Sequence, residues 1–278
     1  MNVWIDTVKT DVCSMDYLRF GAGDRTLVIL LGLSVQRVAQ FAQMTALRSA
    51  ALAKAFTVYI LDRRSELPNP YPVAEMAEDT AAALRALGLR DVCLFGASQG
   101  GMIAMTLAIR YPELVQRLAL GSTSARVTEE QFQAIGNWIE LARRKDREGL
   151  YLDFGAKLYP PGVAQVYRSS LIAAARTVTD EELARFIILA EGSRGFDVTE
   201  QLHRLQCPVF VIGVADDAVL DGAASEEIAE RLRGQTDCRL FMYRGFGHAA
   251  FDVAPDYQAR LLDFFAASGT GNPTQHNS

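Results

Sequence analysis

Val92-Cys93-Leu94-Phe95-Gly96-Ala97-Ser98-Gln99-Gly100-Gly101-Met102 is the stretch that decides the fold. Its first four residues are apolar and strand-like, and Met102 to Ile109 continues as a buried helix. Between them lies a glycine-flanked turn with Ser98 at its centre. Strand, sharp turn and helix together form the setting in which a serine hydroxyl is lifted clear of a sheet edge. Such a turn drives Ser98 into a sparsely allowed backbone conformation. Side chains at the flanking positions would collide, and glycine at 96 and 100 removes them. A bare G-x-S-x-G recurs by chance, so the strand before it and the helix after it supply its weight.

Working outward, Thr26–Leu31, Thr57–Leu61, Leu118–Leu120, Pro208–Val214 and Arg239–Tyr243 read as further strands, while Ser14–Phe20 alternates like a half-buried antiparallel one. Helical spacing falls between them, at about 36–54 and at Val73–Leu87, Ser225–Leu232 and Pro255–Ala267. Strands alternating with helices predict an α/β fold: a mainly parallel sheet with helices on both faces. From Thr123 to about Leu205 the alternation stops. The candidate elements there are all helical, at Glu129–Lys145, Val163–Ala175, Thr179–Glu191 and Thr199–Leu205. The expected organisation is a core of residues 1–122 and 206–268, an inserted helical cap at 123–205, and a polar tail at 269–278 without fixed structure. Ligands of such sheets bind at the carboxyl ends of the strands, where Ser98 stands.

The 278-residue composition is ordinary for a globular chain, with 50% hydrophobic and 22% charged residues. A net charge of -5 argues against nucleic acid as the main partner. Met1–Thr7 lacks the basic and apolar regions of a signal peptide, and no apolar run approaches the roughly 20 residues that span a bilayer. Cys13, Cys93, Cys207 and Cys238 have no metal-ligand spacing and read as small reduced core residues. The expectation is a cytoplasmic protein without metal or cofactor, whose partner is a small molecule; oligomeric state is left open.

A serine hydroxyl is a weak nucleophile until a base takes its proton, and that base must be held by a third group. Of the three histidines, His276 lies in the tail and His203 on a polar helical stretch. His248, in Gly245-Phe246-Gly247-His248, follows the last strand and is the candidate base. The acid is expected after the preceding strand, which ends in Gly213-Val214-Ala215-Asp216-Asp217. Of the two adjacent carboxylates one at most can reach the imidazole. Asp216 is preferred, with Asp217 as a loop-capping neighbour and Asp221 as a helix cap. The backbone N–H groups of Gln99 and Leu33 are the candidate oxyanion donors.

With G-A-S-Q-G-G at 96–101, G-V-A-D-D at 213–217 and G-F-G-H at 245–248, the chain resembles the α/β-hydrolase superfamily, in its capped esterase- and lactonase-like branch. The resemblance covers about Ser14 to Ala267. It implies Ser98 as nucleophile, Asp216 as acid, His248 as base, Leu33 and Gln99 as the oxyanion hole, and residues 123–205 as the cap. It further implies cofactor-free hydrolysis of an ester, lactone or thioester. The same triad also serves C–C bond hydrolases, acyltransferases and cyclases, and a capped pocket can serve a small-molecule receptor. Two positions depart from the family pattern: Leu31 and Ala97 stand where many members carry histidine.

Met102, Trp138 and Phe246 are the candidate substrate contacts, for a largely apolar substrate. The loop Asp62-Arg63-Arg64-Ser65 is read as structural or surface pairing rather than a site for an acidic group.

Overall fold

The computed structural model describes residues 2–267; the expected tail, including His276, lies outside them. Eight strands form one sheet: β1 (Trp4–Lys9), β2 (Ser14–Phe20), β3 (Arg25–Leu30), β4 (Phe56–Arg64), β5 (Val92–Ala97), β6 (Val115–Gly121), β7 (Val209–Val214) and β8 (Cys238–Tyr243). Their spatial order is β1-β2-β4-β3-β5-β6-β7-β8. β1 and β2 pair antiparallel, β2 meets β4 antiparallel, and every later pairing is parallel. This is the α/β-hydrolase fold that the motifs imply.

The apolar runs of the central strands explain why both faces are covered. In β3, Leu27 and Ile29 face one core, and Val28 and Leu30 the other. β5 and β7 divide in the same way, Phe95 and Ile212 joining the first core and Leu94 and Val211 the second. Parallel strands need helical crossovers, and these bury both faces of the sheet. On one face lie α1 (Ala42–Arg48), α2 (Ala50–Ala55), α10 (Ala250–Val253) and α11 (Tyr257–Ala266); on the other lie α3 (Val73–Ala86), α4 (Gln99–Arg110) and α9 (Ala223–Leu232).

Four helices, α5 (Glu129–Arg143), α6 (Arg147–Leu158), α7 (Pro161–Thr177) and α8 (Asp180–Glu191), are inserted between β6 and β7. Capping boxes at Thr128 and Thr179 start α5 and α8. The block rests on the carboxyl end of the sheet through specific bonds. Gln99 Nε2 donates to the Leu189 carbonyl at 2.6 Å, Arg185 pairs with Asp62 at 2.6 Å, and the Ala249 N–H donates to the Leu158 carbonyl at 2.9 Å.

Four segments differ from the sequence reading. β1 is an edge strand burying only Val8, so it shows no apolar period. The stretch from Gln36 to Lys54 is a 3₁₀ turn over Val38–Phe41 followed by α1 and α2, broken at Ser49, rather than one helix. α6 occupies a segment where no helix was expected, and Thr199–Arg204 is 3₁₀.

The close approach of α4 to β3 rests on glycine. A Cβ at Gly100 would stand 2.0 Å from the Leu30 carbonyl oxygen. Gly100→Ala is expected to lower unfolding free energy by about 3 kcal/mol. A guanidinium titration with unchanged slope and a lowered midpoint would register it.

Candidate active site

Ser98 caps α4 with φ 53° and ψ -123°, a region L-residues avoid at a cost of about 1–3 kcal/mol. The surroundings hold it there. Its N–H donates to the Gly121 carbonyl at 2.9 Å, which extends the sheet ladder into the turn. Its carbonyl accepts from the Thr123 hydroxyl at 2.7 Å and from the N–H groups of Gly101 and Met102 at 2.8 and 3.2 Å. The side chain is left half-buried at the carboxyl edge of the sheet.

Two backbone segments meet at this corner, the start of α4 and the loop after β3. The Gln99 N–H opens α4, where the helix dipole favours negative charge. Leu33 follows Gly32, and a Cβ at Gly32 would lie 3.1 Å from Ser98 Cβ and 3.8 Å from Ser98 Oγ. The loop after β3 therefore packs against the serine itself. Among the described residues, neither the Leu33 nor the Gln99 N–H is engaged by a backbone acceptor. The Gln99 side chain faces away, held by the Leu189 carbonyl and the Ser193 hydroxyl at 2.6 and 2.9 Å.

The carboxylate behind the imidazole is Asp217, not Asp216. His248 Nδ1 donates to Asp217 Oδ2 at 2.7 Å, and both side chains are nearly inaccessible to solvent. Asp217 Oδ1 accepts from the backbone N–H groups of Val219 and Leu220 at 2.8 and 3.1 Å. Burial alone would raise its pKa. The facing His248, by charge and hydrogen bond, and the two backbone donors outweigh that and hold it below the ordinary carboxylate value. An ionised Asp217 can only accept, so the imidazole donates to it from Nδ1 and Nε2 is the ring nitrogen turned away from Asp217.

The correction has a turn-level cause. After β7 the chain folds back with the Asp217 N–H on the Val214 carbonyl, which sends two successive side chains in opposite directions. Asp216 points outward into an exposed position, where Oδ1 accepts the Gly245 N–H at 2.8 Å. It ties the β7 and β8 loops together. Asp221 Oδ1 takes the Ala223 N–H at 3.1 Å, but the N-cap of α9 is Gly222, so Asp221 stands one residue before the cap position expected of it.

The three candidate substrate contacts separate. Trp138 lies inside the helical block, stacked on Phe154 at 4.2 Å with its indole N–H donated to Asp153, and is packing rather than pocket wall. Met102 is fully buried in the core between sheet and helices. Phe246 is half-buried and packs edge-on against Tyr243 at 5.3 Å, two residues from His248.

A group that sequence reasoning set aside stands beside the loop after β3. Arg63, buried, donates to the Leu31 carbonyl at 2.8 Å and lies 3.4 Å from Gln99 Oε1. Asp62 accepts from Arg185, the Arg63 N–H and the Val38 N–H at 2.6, 2.7 and 3.0 Å.

Comparison with known proteins agrees with this fold. The sequence model of the α/β hydrolase fold matches residues 46–152. A protein of Pseudomonas savastanoi pv. phaseolicola, provisionally named carbamate hydrolase RutD, is 28% identical over 236 residues, covering 78% of this chain and 86% of that one. The 3-oxoadipate enol-lactonase 2 of Acinetobacter baylyi is 24% identical over 233 residues, covering 82% and 85%. Among solved structures, an α/β hydrolase from a Medee basin deep-sea metagenome library superposes with a TM-score of 0.84 at 18% identity, covering 97% of this chain and all of that one. The enol-lactonase of Burkholderia xenovorans gives a TM-score of 0.79 at 19% identity, covering 94% and 100%.

Asp217→Asn is expected to lower kcat/KM about 10⁴-fold by replacing the acceptor-only carboxylate that fixes the imidazole tautomer with an amide that can also donate, whereas Asp216→Asn stays within about tenfold, since only an exposed loop contact is lost. Steady-state kinetics on a shared ester substrate separates the two. The folded Asp217 pKa is depressed, so its contribution to stability is complete above the ordinary carboxylate range and is lost as pH falls through the folded value. The stability gap between the native protein and Asp217→Asn should therefore close on acidification, as followed by denaturant titration.

Proposed function

We propose, from the premise that the chain is an α/β-hydrolase by fold, that it is a serine hydrolase cleaving a carboxylic ester, lactone or thioester through an acyl-enzyme. The observation that carries this reading is the buried Asp217–His248 hydrogen bond at 2.7 Å, on the same sheet edge as the strained Ser98. Buried carboxylate–imidazole pairs leave one ring nitrogen free to act as a base.

In this reading Ser98 Oγ gives its proton to His248 Nε2 as it attacks the carbonyl carbon. Charge develops on the carbonyl oxygen and is met by the Leu33 and Gln99 N–H groups, fixed before the substrate arrives. The imidazolium, stabilised by Asp217, then protonates the leaving group. Water, deprotonated by the same nitrogen, releases the acid and restores Ser98.

The mechanism requires reach across the sheet. β5 and β8 are three strand spacings apart, roughly 14 Å. The five residues from Arg244 to His248 extend to about 17 Å, enough to carry the imidazole back toward Ser98. The loop leaves β8 bound to Asp216 at Gly245 and is anchored to the helical block at Ala249.

Residues 123–205 act as a cap in this proposal, lying over the carboxyl end of the sheet and excluding water from the acyl-enzyme. The relatives named for carbamate and enol-lactone substrates support a small acyl compound as the substrate class.

Ser98→Ala should reduce hydrolysis of p-nitrophenyl esters by about 10⁴-fold or more with the fold intact. Activity near that of the unaltered protein would remove Ser98 from the mechanism.

A further inference from the structure

Beneath the oxyanion loop lies a small cavity of about 30 Å³ whose lining includes Gly32, Gln36, Asp62, Arg63, Gln99 and Arg185. Two guanidinium groups share it with one carboxylate, so its walls carry an excess positive charge. Both arginines are at least nine-tenths buried, with 5% of Arg63 and 7% of Arg185 exposed. Among the described residues, Nε of each has no hydrogen-bond partner. Buried donors without acceptors are rare in folded proteins, so two of them on residues that line one cavity need an explanation.

Asp62 does not supply it. Its two oxygens are already engaged by Arg185 and by the backbone N–H groups of Arg63 and Val38. Nor does Arg63 escape its charge by losing a proton. Burial pulls its pKa down to about 10, with Asp62 acting in the opposite sense, and it remains a cation at neutral pH. Guanidinium groups present planar forks of donors that match a carboxylate. A cavity of this volume holds about two water molecules, close to the size of one carboxylate group.

The location ties this feature to the chemistry. Gly32 belongs both to the cavity and to the loop that touches Ser98, and Gln99 both lines the cavity and follows the serine. An anionic group seated here would lie a short chain away from a carbonyl at Ser98. Arg63 comes from the end of β4 and Arg185 from α8, so core and helical block each contribute one cation.

We propose that this cavity is a carboxylate subsite, and that the preferred substrate is an ester, lactone or thioester bearing a carboxylate a few carbons from the scissile carbonyl. The proposal rests on the serine hydrolase reading and narrows its substrate class, in place of the largely apolar substrate that the candidate contacts Met102, Trp138 and Phe246 suggest. An anion in the cavity pairs the excess cation, gives the unpartnered donors an acceptor, and fixes the acyl chain relative to Ser98.

The test compares mono-p-nitrophenyl glutarate with p-nitrophenyl pentanoate, which match in chain length and leaving group and differ in the terminal carboxylate. The unaltered protein is expected to favour the glutarate by at least tenfold in kcat/KM. Glutarate should inhibit competitively, while pentane-1,5-diol at the same concentration does not. Arg185→Gln and Arg63→Lys should each reduce the preference at least fivefold, whatever they do to the rate on the neutral ester. A neutral-ester rate equal to or above that of the glutarate in the unaltered protein, together with no inhibition by glutarate, overturns the subsite while leaving the hydrolase intact. A preference that survives both substitutions also overturns the assignment to these arginines. Absence of Ser98-dependent turnover of either ester would instead overturn the hydrolase reading.

Discussion

The backbone of Ser98, at φ 53° and ψ -123°, is the constraint around which the sheet and its first buried helix are arranged. A non-glycine residue persists there only when its neighbours over-determine it. The Gly121 carbonyl fixes the Ser98 N–H from the side, and the Thr123 hydroxyl with the first turn of α4 fixes its carbonyl. Beneath it α4 presses so close to β3 that Gly100 has no room for a methyl group. The strain at one residue is thus set against the packing of three parallel strands and a helix, a balance that favours the fold over relaxation of the turn.

The same packing determines where everything else falls. Because β3, β5, β7 and β8 run parallel, their following loops gather at one edge. The β3 loop brings Gly32 against Ser98, the β7 turn aims Asp217 inward, and the β8 loop carries His248 onto it. The helical block then seats on this edge through buried polar contacts at Gln99, Asp62 and Ala249 rather than through apolar packing alone. Buried ion pairs add little net stability but fix geometry. The Arg185–Asp62 pair, at the junction of α8 and β4, sets the block against the loop that flanks the candidate nucleophile.

Most of this was legible where burial leaves a mark on the residues. β3, β5 and β7 are buried on both faces and therefore read as continuous apolar runs, and the glycines around Ser98 announce a turn that nothing larger can make. β1 left no such mark because it lies at the exposed edge, with Trp4 and Ile5 largely in solvent. α6 carries glycines at 149 and 155 that weaken its helical pattern; Gly155 admits Leu171 of α7, a contact only the tertiary fold creates. Asp216 and Asp217 are chemically identical neighbours, and the choice between them is made by one turn hydrogen bond after β7. Arg185 escaped notice because Asp62, to which it is bonded, lies 123 positions away in sequence.

The most direct measurement on the catalytic assignment is a crystal structure of the protein after reaction with an alkyl phosphonate ester. The expected result is a covalent bond from Ser98 Oγ to phosphorus. The phosphonyl oxygen should lie within about 3 Å of the Leu33 and Gln99 nitrogens, with His248 Nε2 facing the serine oxygen and Nδ1 still on Asp217. Phosphorus attached to another residue, or a His248 ring turned away from Ser98 with its Asp217 bond intact, would contradict the assignment of these three side chains to one reaction.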